Sequence, residues 1–219
     1  MSYIITSLIS YLIGSFNTAY FYAKAHGFDI RERGSMNAGA SNIKVNFGWA
    51  AGVFTGLCDM FKAIMAMKLC AYLFPDNEVI PYLAGAMVIV DHIFPFYMGF
   101  KGGKGFASLG GSVLAIDVRF FVVLLIIVIV IVFASDYICF GPIFASVAFP
   151  VSYGVIYRTY IPSVFILASM AIIYRHLQNL RRIVQGKELR FSFLWNGKKE
   201  AERLGIDYDG KNYPFGHDD

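Results

Sequence analysis

Three glycines and two lysines fall within five residues at Lys101-Gly102-Gly103-Lys104-Gly105. Glycine leaves backbone N–H groups uncovered and permits positive φ, and lysine supplies charge, so a turn of this composition suits a phosphate. Phe94, Phe96, Tyr97, Met98 and Phe100 precede it, and Phe106 and the segment Leu109 to Ile116 follow. The expected ligand is a phosphorylated molecule met at a membrane surface. A nucleotide P-loop does not fit: no Ser or Thr follows Lys104, and the G-x-x-x-x-G-K spacing is missing.

Further polar clusters carry the same chemistry. One runs from Asp29 through Arg31, Arg33, Ser35, Asn37 and Ser41 to Asn42. Another comprises Tyr174, Arg175, His176, Asn179, Arg181 and Arg182, followed by Gly186 and Glu188. Asp91-His92-Ile93-Phe94-Pro95 leads into the glycine turn. Ser, Asn, Gly, Arg, His and Lys recur, the types that grip phosphate oxygens. His176 and Asn179 at i, i+3 share one helix face, and Arg175 lies four residues before Asn179. A histidine near a helix end can merely complement the helix C-terminus, but Asn179 and Arg182 beside it favour a functional role.

The elements that must position these groups are helices in a bilayer. Hydrophobic residues make up 57% and charged residues 16% of the 219, far from a soluble average. About 20 apolar residues cross a bilayer as a helix. Segments 3–23, 50–74, 79–99, 104–117, 119–134, 138–157 and 160–177 predict an all-α integral membrane protein of seven helices. The fourth is short and glycine-rich, which keeps six open. The first segment starts almost at Met1 with neither a basic region nor a cleavage site, and reads as a retained helix rather than a signal peptide.

With the N-terminus outside, the inner segments hold fifteen of the nineteen Lys and Arg residues: Lys24, Arg31, Arg33, Lys44, Lys101, Lys104 and nine from Arg175 to Lys211. That orientation puts the polar clusters on one cytoplasmic face, against anionic lipid head groups. Residues 1–190 form the membrane domain. Residues 191–219 form a polar cytoplasmic tail with a short helix near 199–204. Cys58, Cys70 and Cys139 lie in apolar spans without metal-ligand spacing, so neither a disulfide framework nor a zinc site is implied. No nucleic-acid partner is expected, and the oligomeric state is open.

Taken together, the motifs resemble one known family. Gly34-Ser35-x-Asn37-x-Gly39-Ala40-Ser41-Asn42, then His92-x-Phe94-Pro95 leading to Phe100-Lys101-Gly102-Gly103-Lys104-Gly105, then His176-x-x-Asn179-x-x-Arg182 with Gly186 and Glu188, are similar to the bacterial acyl-phosphate-dependent glycerol-3-phosphate acyltransferases, the PlsY family. Asp59 and Lys62 match that family's Asp-x-x-Lys. The resemblance covers residues 3 to about 190. It implies a seven-helix enzyme of the bacterial cell membrane with a cytoplasmic site, no metal or other cofactor, acyl phosphate as donor and glycerol 3-phosphate as acceptor. Lysophosphatidic acid and phosphate would be the products.

Carried over by position, Ser35, Lys104, His176 and Asn179 would be catalytic. Asn37, Asn42, Lys101, Gly102, Gly103, Gly105 and Arg182 would bind substrate. Such a transfer needs no covalent nucleophile, because a mixed anhydride already has a good leaving group; positioning and charge stabilisation carry the rate. The acceptor hydroxyl would lose its proton to His176 or to a substrate phosphate oxygen, a choice the residues leave open.

The chain also departs from the family. Val45 stands where an arginine usually grips the acceptor phosphate, and Lys44 beside it points elsewhere on regular structure. Asp91 replaces a glycine before His92, and Gly141 or Pro142 replaces a serine. Losing a guanidinium from a phosphate removes about 1.5–3 kcal/mol, so donor binding is the firmer expectation. Two other readings follow: an enzyme with another acceptor or only acyl-phosphate hydrolysis, or a non-catalytic transporter or structural membrane protein using Asp59, Lys62, Asp91 and His92 as a polar path. Plainer roles are expected for several of these groups. Asp59 and Lys62 pair to lower their burial cost, His92 is an interior histidine, and Gly52, Gly56, Gly110 and Gly111 are helix-packing sites. Tyr97, Tyr153, Tyr157 and Tyr160 form an interfacial belt.

Overall fold

The computed structural model describes residues 1–205, the side chains of Leu194 and Trp195 excepted. Residues 206–219 of the expected tail, including Lys211, lie outside the described residues. Among the described residues ten α-helices follow one another: α1 (Ser2–Ser15), α2 (Thr18–Ala25), α3 (Ala40–Phe47), α4 (Trp49–Leu73), α5 (Val79–Ile93), α6 (Phe106–Ile116), α7 (Val118–Ser135), α8 (Phe140–Tyr157), α9 (Ile166–Val184) and α10 (Phe193–Leu204).

Among the described residues six apolar helical segments are long enough to cross a membrane, α1 and α2 together forming one. The fourth of the seven predicted spans, 104–117, is α6, which has eleven residues. At 1.5 Å per residue it covers roughly half of a ~30 Å hydrocarbon core.

The first span is not continuous. It breaks at Phe16 and Asn17, where the Asn17 side chain accepts from the Tyr20 N–H and caps α2. The carbonyls freed by the break do not stay orphaned: Lys62 Nζ donates to Gly14 O at 3.1 Å and Phe16 O at 2.8 Å. The same ammonium lies 3.1 Å from Asp59 Oδ1 and 2.8 Å from His92 Nδ1. The expected Asp59–Lys62 pair is therefore formed, and it holds a helix break inside the bundle.

Small residues set how closely the helices pack. A Cβ on Gly111 would run into the Met60 backbone of α4, and one on Gly52 would meet Lys44 Cβ at 2.6 Å. Gly14 packs on Val88 and Asp91 of α5 in the same way. Both Asp91 oxygens are buried without a hydrogen-bond partner among the described residues. The core between α5, α6, α8 and α9 is filled by Ile89, Ile93, Val113, Phe149, Phe165 and Ile172. By contrast α7 has only Leu124 and Val128 buried among its eighteen residues. Tyr160 is exposed as a belt residue would be. Tyr153 is instead packed edge-on against Phe120, and Tyr97 donates to Ser15 O at 2.7 Å.

Candidate active site

After α5 the chain turns through Gly99 and Phe100, both at positive φ, and reaches the glycine turn. Gly102 N–H donates to Ile93 O and Gly103 N–H to His92 O, each at 3.0 Å. Those two amides close the end of α5 and are not open to a ligand, which corrects the expectation from composition. The glycines serve close approach instead. A Cβ on Gly102 would collide with His92 O, and one on Gly103 with the His92 ring and, at 2.9 Å, with Ala38 O. Only Gly105 of the three has positive φ, +82°, and it opens α6. Among the described residues no backbone carbonyl takes the N–H of Lys104 or Gly105. The α6 N-terminus is thus where an anion would be held.

The Asp29–Asn42 loop is tied to this turn by Arg31. Its guanidinium forks onto Asp29, Nη2 to Oδ2 at 2.7 Å and Nε to Oδ1 at 3.0 Å, while Nη1 donates to Met98 O at 2.6 Å. The Arg31–Asp29 hydrogen bond holds Asp29 below the usual carboxylate range and pushes Arg31 higher. Asn42 is fully buried. Its Nδ2 donates to Ile30 O and Arg33 O, and its Oδ1 accepts from Ser35 N–H and Asn46 Nδ2. All of its amide is engaged in shaping the loop. Gly34, at φ +58°, has no room for a Cβ against Asn42 Oδ1. Ser35 stands exposed on the loop. Asn37 Oδ1 is buried with no hydrogen-bond partner among the described residues.

From α9, Arg175 and Asn179 meet the turn. Arg175 Nη2 donates to Gly102 O at 3.0 Å, and Nε to Gly103 O at 3.3 Å. Lys104 Nζ donates to Asn179 Oδ1 at 2.7 Å, and Asn179 Nδ2 donates to Glu188 Oε1 at 2.6 Å. Glu188 Oε2 accepts from Arg182 Nε at 2.7 Å. His176 is buried, with Nδ1 2.8 Å from Ile172 O. A carbonyl cannot donate, so Nδ1 carries the proton and Nε2 is left as the basic nitrogen. Burial pulls Lys104 down to about 8, with the Glu188 charge acting in the opposite direction.

Of the expected site residues, Lys104, Asn179 and Arg182 are joined through Glu188, and Gly102, Gly103 and Gly105 shape their floor. Lys101 is exposed beside them, and Ser35, Asn37 and Asn42 belong to the loop behind Gly103. Glu188 and Arg175, named in the same polar cluster but given no site role by the sequence, are the joining group and the clamp on the turn. A lone carboxylate nine residues after Asn179 in a cationic cluster was the available signal for Glu188. Val45 is half-buried, and Lys44 does not compensate for it: its Nζ sits 3.6 Å over the Trp49 ring, and burial lowers its pKa. Gly141 and Pro142 are buried at the start of α8.

The family model of glycerol-3-phosphate acyltransferase matches residues 4–186. The chain belongs to that family. A glycerol-3-phosphate acyltransferase of Oceanobacillus iheyensis is 33% identical over 210 residues, covering 92% of this chain and all of the relative. One from Clostridioides difficile is 32% identical over 192 residues, covering 85% and 94%. Among solved structures, the glycerol 3-phosphate form of PlsY, an integral membrane glycerol 3-phosphate acyltransferase, superposes with a TM-score of 0.80 at 28% identity, over 89% of this chain and 98% of that one. Its lysophosphatidic acid form gives 0.78 at 27% identity, over 89% and 97%. This acyltransferase is a multi-pass membrane protein, and the turn, loop and α9 described above are where its motifs gather.

Proposed function

We propose that this enzyme moves an acyl chain from acyl phosphate to the 1-hydroxyl of glycerol 3-phosphate, releasing phosphate and lysophosphatidic acid, on the cytoplasmic side of the bacterial cell membrane. In this reading the protein has seven spanning helices with α6 as the short one, an outer N-terminus and an inner C-terminus. The bias of Lys and Arg toward the inner segments supports that orientation.

The observation that carries the mechanism is the contact of Lys104 with Asn179 at the head of α6. A phosphate placed there meets the ammonium, the uncommitted N–H groups of Lys104 and Gly105, and the α6 N-terminus. We assign this place to the donor. Arg175 and Arg182 supply the surrounding positive field. As the acceptor oxygen attacks the acyl carbonyl, the carbonyl–phosphate bond breaks and charge collects on the departing phosphate. Lys104 stabilises that charge without a covalent enzyme intermediate. Ser35, at the loop crest, donates to the donor phosphate or to the carbonyl oxyanion. Asn37 Oδ1, buried and unpartnered, is an acceptor for a substrate hydroxyl. The attacking hydroxyl gives its proton to His176 Nε2 or to a substrate phosphate oxygen.

The test is purified protein in lipid vesicles given acyl phosphate and a panel of polyol phosphates, with products read by mass spectrometry. Lysophosphatidic acid formed with stoichiometric phosphate is the expected result. An intact donor with no acylated product would overturn the assignment. Val45, with Lys44 seated on Trp49, favours a second reading in which another alcohol is preferred, or only water. The same panel separates these. The third alternative, a polar transport path, is less favoured because Asp59, Lys62 and His92 face one another.

A further inference from the structure

The chain after α9 is gripped from both sides. Arg203 of α10 donates through Nη1 to Gly186 O at 2.5 Å and through Nη2 to Glu188 O at 2.7 Å. Its remaining donors pair with Glu200, Nε to Oε2 at 2.9 Å and Nη2 to Oε1 at 2.6 Å. Glu200 Oε1 also accepts from Arg190 N–H at 2.9 Å. One ion pair thus holds three main-chain groups within five residues. At the far end Asp136 takes Phe191 N–H on its carbonyl, and Ser192 N–H and Oγ–H on its carboxylate, at 2.7–2.8 Å.

Docking a short helix needs only apolar side chains. Glu200 is nevertheless buried, and its partner is directed at carbonyls. A charged fork fixes register and rotation of the segment it grips, which apolar packing does not. What the register fixes is Glu188: its carbonyl is on Arg203, while its carboxylate reaches Asn179 and Arg182. Through Asn179 the chain of contacts ends on Lys104. The family match ends at residue 186, the first residue that Arg203 grips, and short of Glu188, Arg190, Glu200 and Arg203.

We propose that Arg203 and Glu200 are positioning residues for acyl transfer: α10 sets the Gly186–Arg190 backbone so that Glu188 orients Asn179, and Asn179 orients the Lys104 ammonium. Neither residue touches substrate. The inference rests on the reading of Lys104 as a phosphate ligand. Release of the clamp lets the carboxylate drift, leaves Asn179 free to rotate and removes the negative charge that keeps Lys104 protonated. The defect falls on donor binding and on the pH profile rather than on the fold.

The experiment uses the full chain in lipid vesicles, with Arg203→Ala, the exposed Lys199→Ala as control, Glu188→Gln, and the double variant Glu188→Gln/Arg203→Ala. For Arg203→Ala the KM for acyl phosphate should rise roughly tenfold to a hundredfold, and the alkaline limb of kcat/KM should move to lower pH. Lys199→Ala should match the parent enzyme. In the Glu188→Gln background Arg203→Ala should add nothing, since the two act in series. The inference is overturned if Arg203→Ala behaves as Lys199→Ala. It is equally overturned if that variant loses only melting temperature, with KM and pH profile unmoved, or if its effect adds in full to Glu188→Gln. Should Arg203→Ala melt below the assay temperature, Glu200→Gln keeps the side-chain shape, loses the ion pair and carries the same expectation. A fully active Lys104→Ala would sink the reading of Lys104 itself; an inactive Lys104→Ala beside a normal Arg203→Ala would sink only this inference.

Discussion

Lys104 Nζ and Asn179 Oδ1 lie 2.7 Å apart although 75 residues separate them in the chain. The contact joins the turn before α6 to the inner face of α9, and it leaves a buried ammonium facing a neutral amide rather than a carboxylate. Glu188 stands one amide further away. A cation held this way has charge to offer a ligand, because no first partner has neutralised it.

Replacing Lys104 by alanine removes that charge and leaves the turn in place. Turnover should fall by about 10²–10³-fold, the usual cost of deleting a donor aimed at developing charge. Phosphate release and lysophosphatidic acid formation, followed on the same sample, check this. A loss under threefold would mean the phosphate sits elsewhere.

The alkaline limb follows from the sign of the Lys104 shift. Its pKa lies near 8 instead of 10.5, so the free enzyme loses the ammonium as pH rises through 8. The kcat/KM for donor should fall about tenfold per unit above that point. Bound phosphate favours the charged form, so kcat at saturating donor should hold to higher pH. Lys104→Arg, which cannot deprotonate in this range, should lack the limb. The linkage to folding runs the other way: between about 8 and 10.5 the unfolded chain binds the proton the folded lysine has released, so this group's contribution to stability improves with rising pH.

Val45→Arg restores a guanidinium beside the loop. If glycerol 3-phosphate is the native acceptor held weakly, its KM should drop about tenfold or more, while the donor KM stays put. An unchanged acceptor KM would point to a different alcohol.

Gly103→Ala places a methyl group against the His92 ring and 2.9 Å from Ala38 O. The ring cannot easily yield, since His92 is buried against Lys62. The turn should therefore shift away from the Asp29–Asn42 loop, with KM raised and the melting temperature lowered. Steady-state kinetics alongside a melt in detergent would show both.

Lys62→Ala uncovers the Gly14 and Phe16 carbonyls and leaves the Asp59 charge alone. Breaking a buried pair from one side costs about 3–5 kcal/mol, so the variant should melt well below the parent. Asp59→Asn with Lys62→Met should recover part of that loss; no recovery would argue that the lysine's grip on the helix break outweighs its pairing.

The spans were legible because lipid asks only for apolar length, and runs such as Phe120–Ala134 supply it unambiguously. The break at Phe16–Asn17 was not read from the sequence: Gly14-Ser15 and the N-cap residue Asn17 are weak signals inside an apolar run, and the stabiliser, Lys62, is 46 residues away. For the site, the three motifs could be recognised by residue type, but the work of each glycine could not. Gly102 and Gly103 were expected to offer N–H groups and instead make room for His92 and Ala38, a packing fact with no local signature. Glu188 was named in its cluster but given no role, because its worth lies in two partners, Asn179 and Arg182, that come near only once α9 ends and the chain doubles back. Asn42 was expected at the substrate, and its amide is instead occupied by four groups of its own loop and helix.

α7 gives the chain one helix whose outward surface is answerable to hydrocarbon and to little else. Leu124 and Val128 are buried and Phe120 packs on Phe149 and Tyr153, but the exposed side chains Val122, Val123, Ile126, Ile127, Ile129 and Val130 have no specific shape to match. Leu, Ile, Val and Phe should be interchangeable there at small cost, so a shuffled version of that surface should still insert and support turnover. Homologues can then drift freely along this helix while their polar loops stay constrained, and low identity within it says nothing about whether two such enzymes share a substrate.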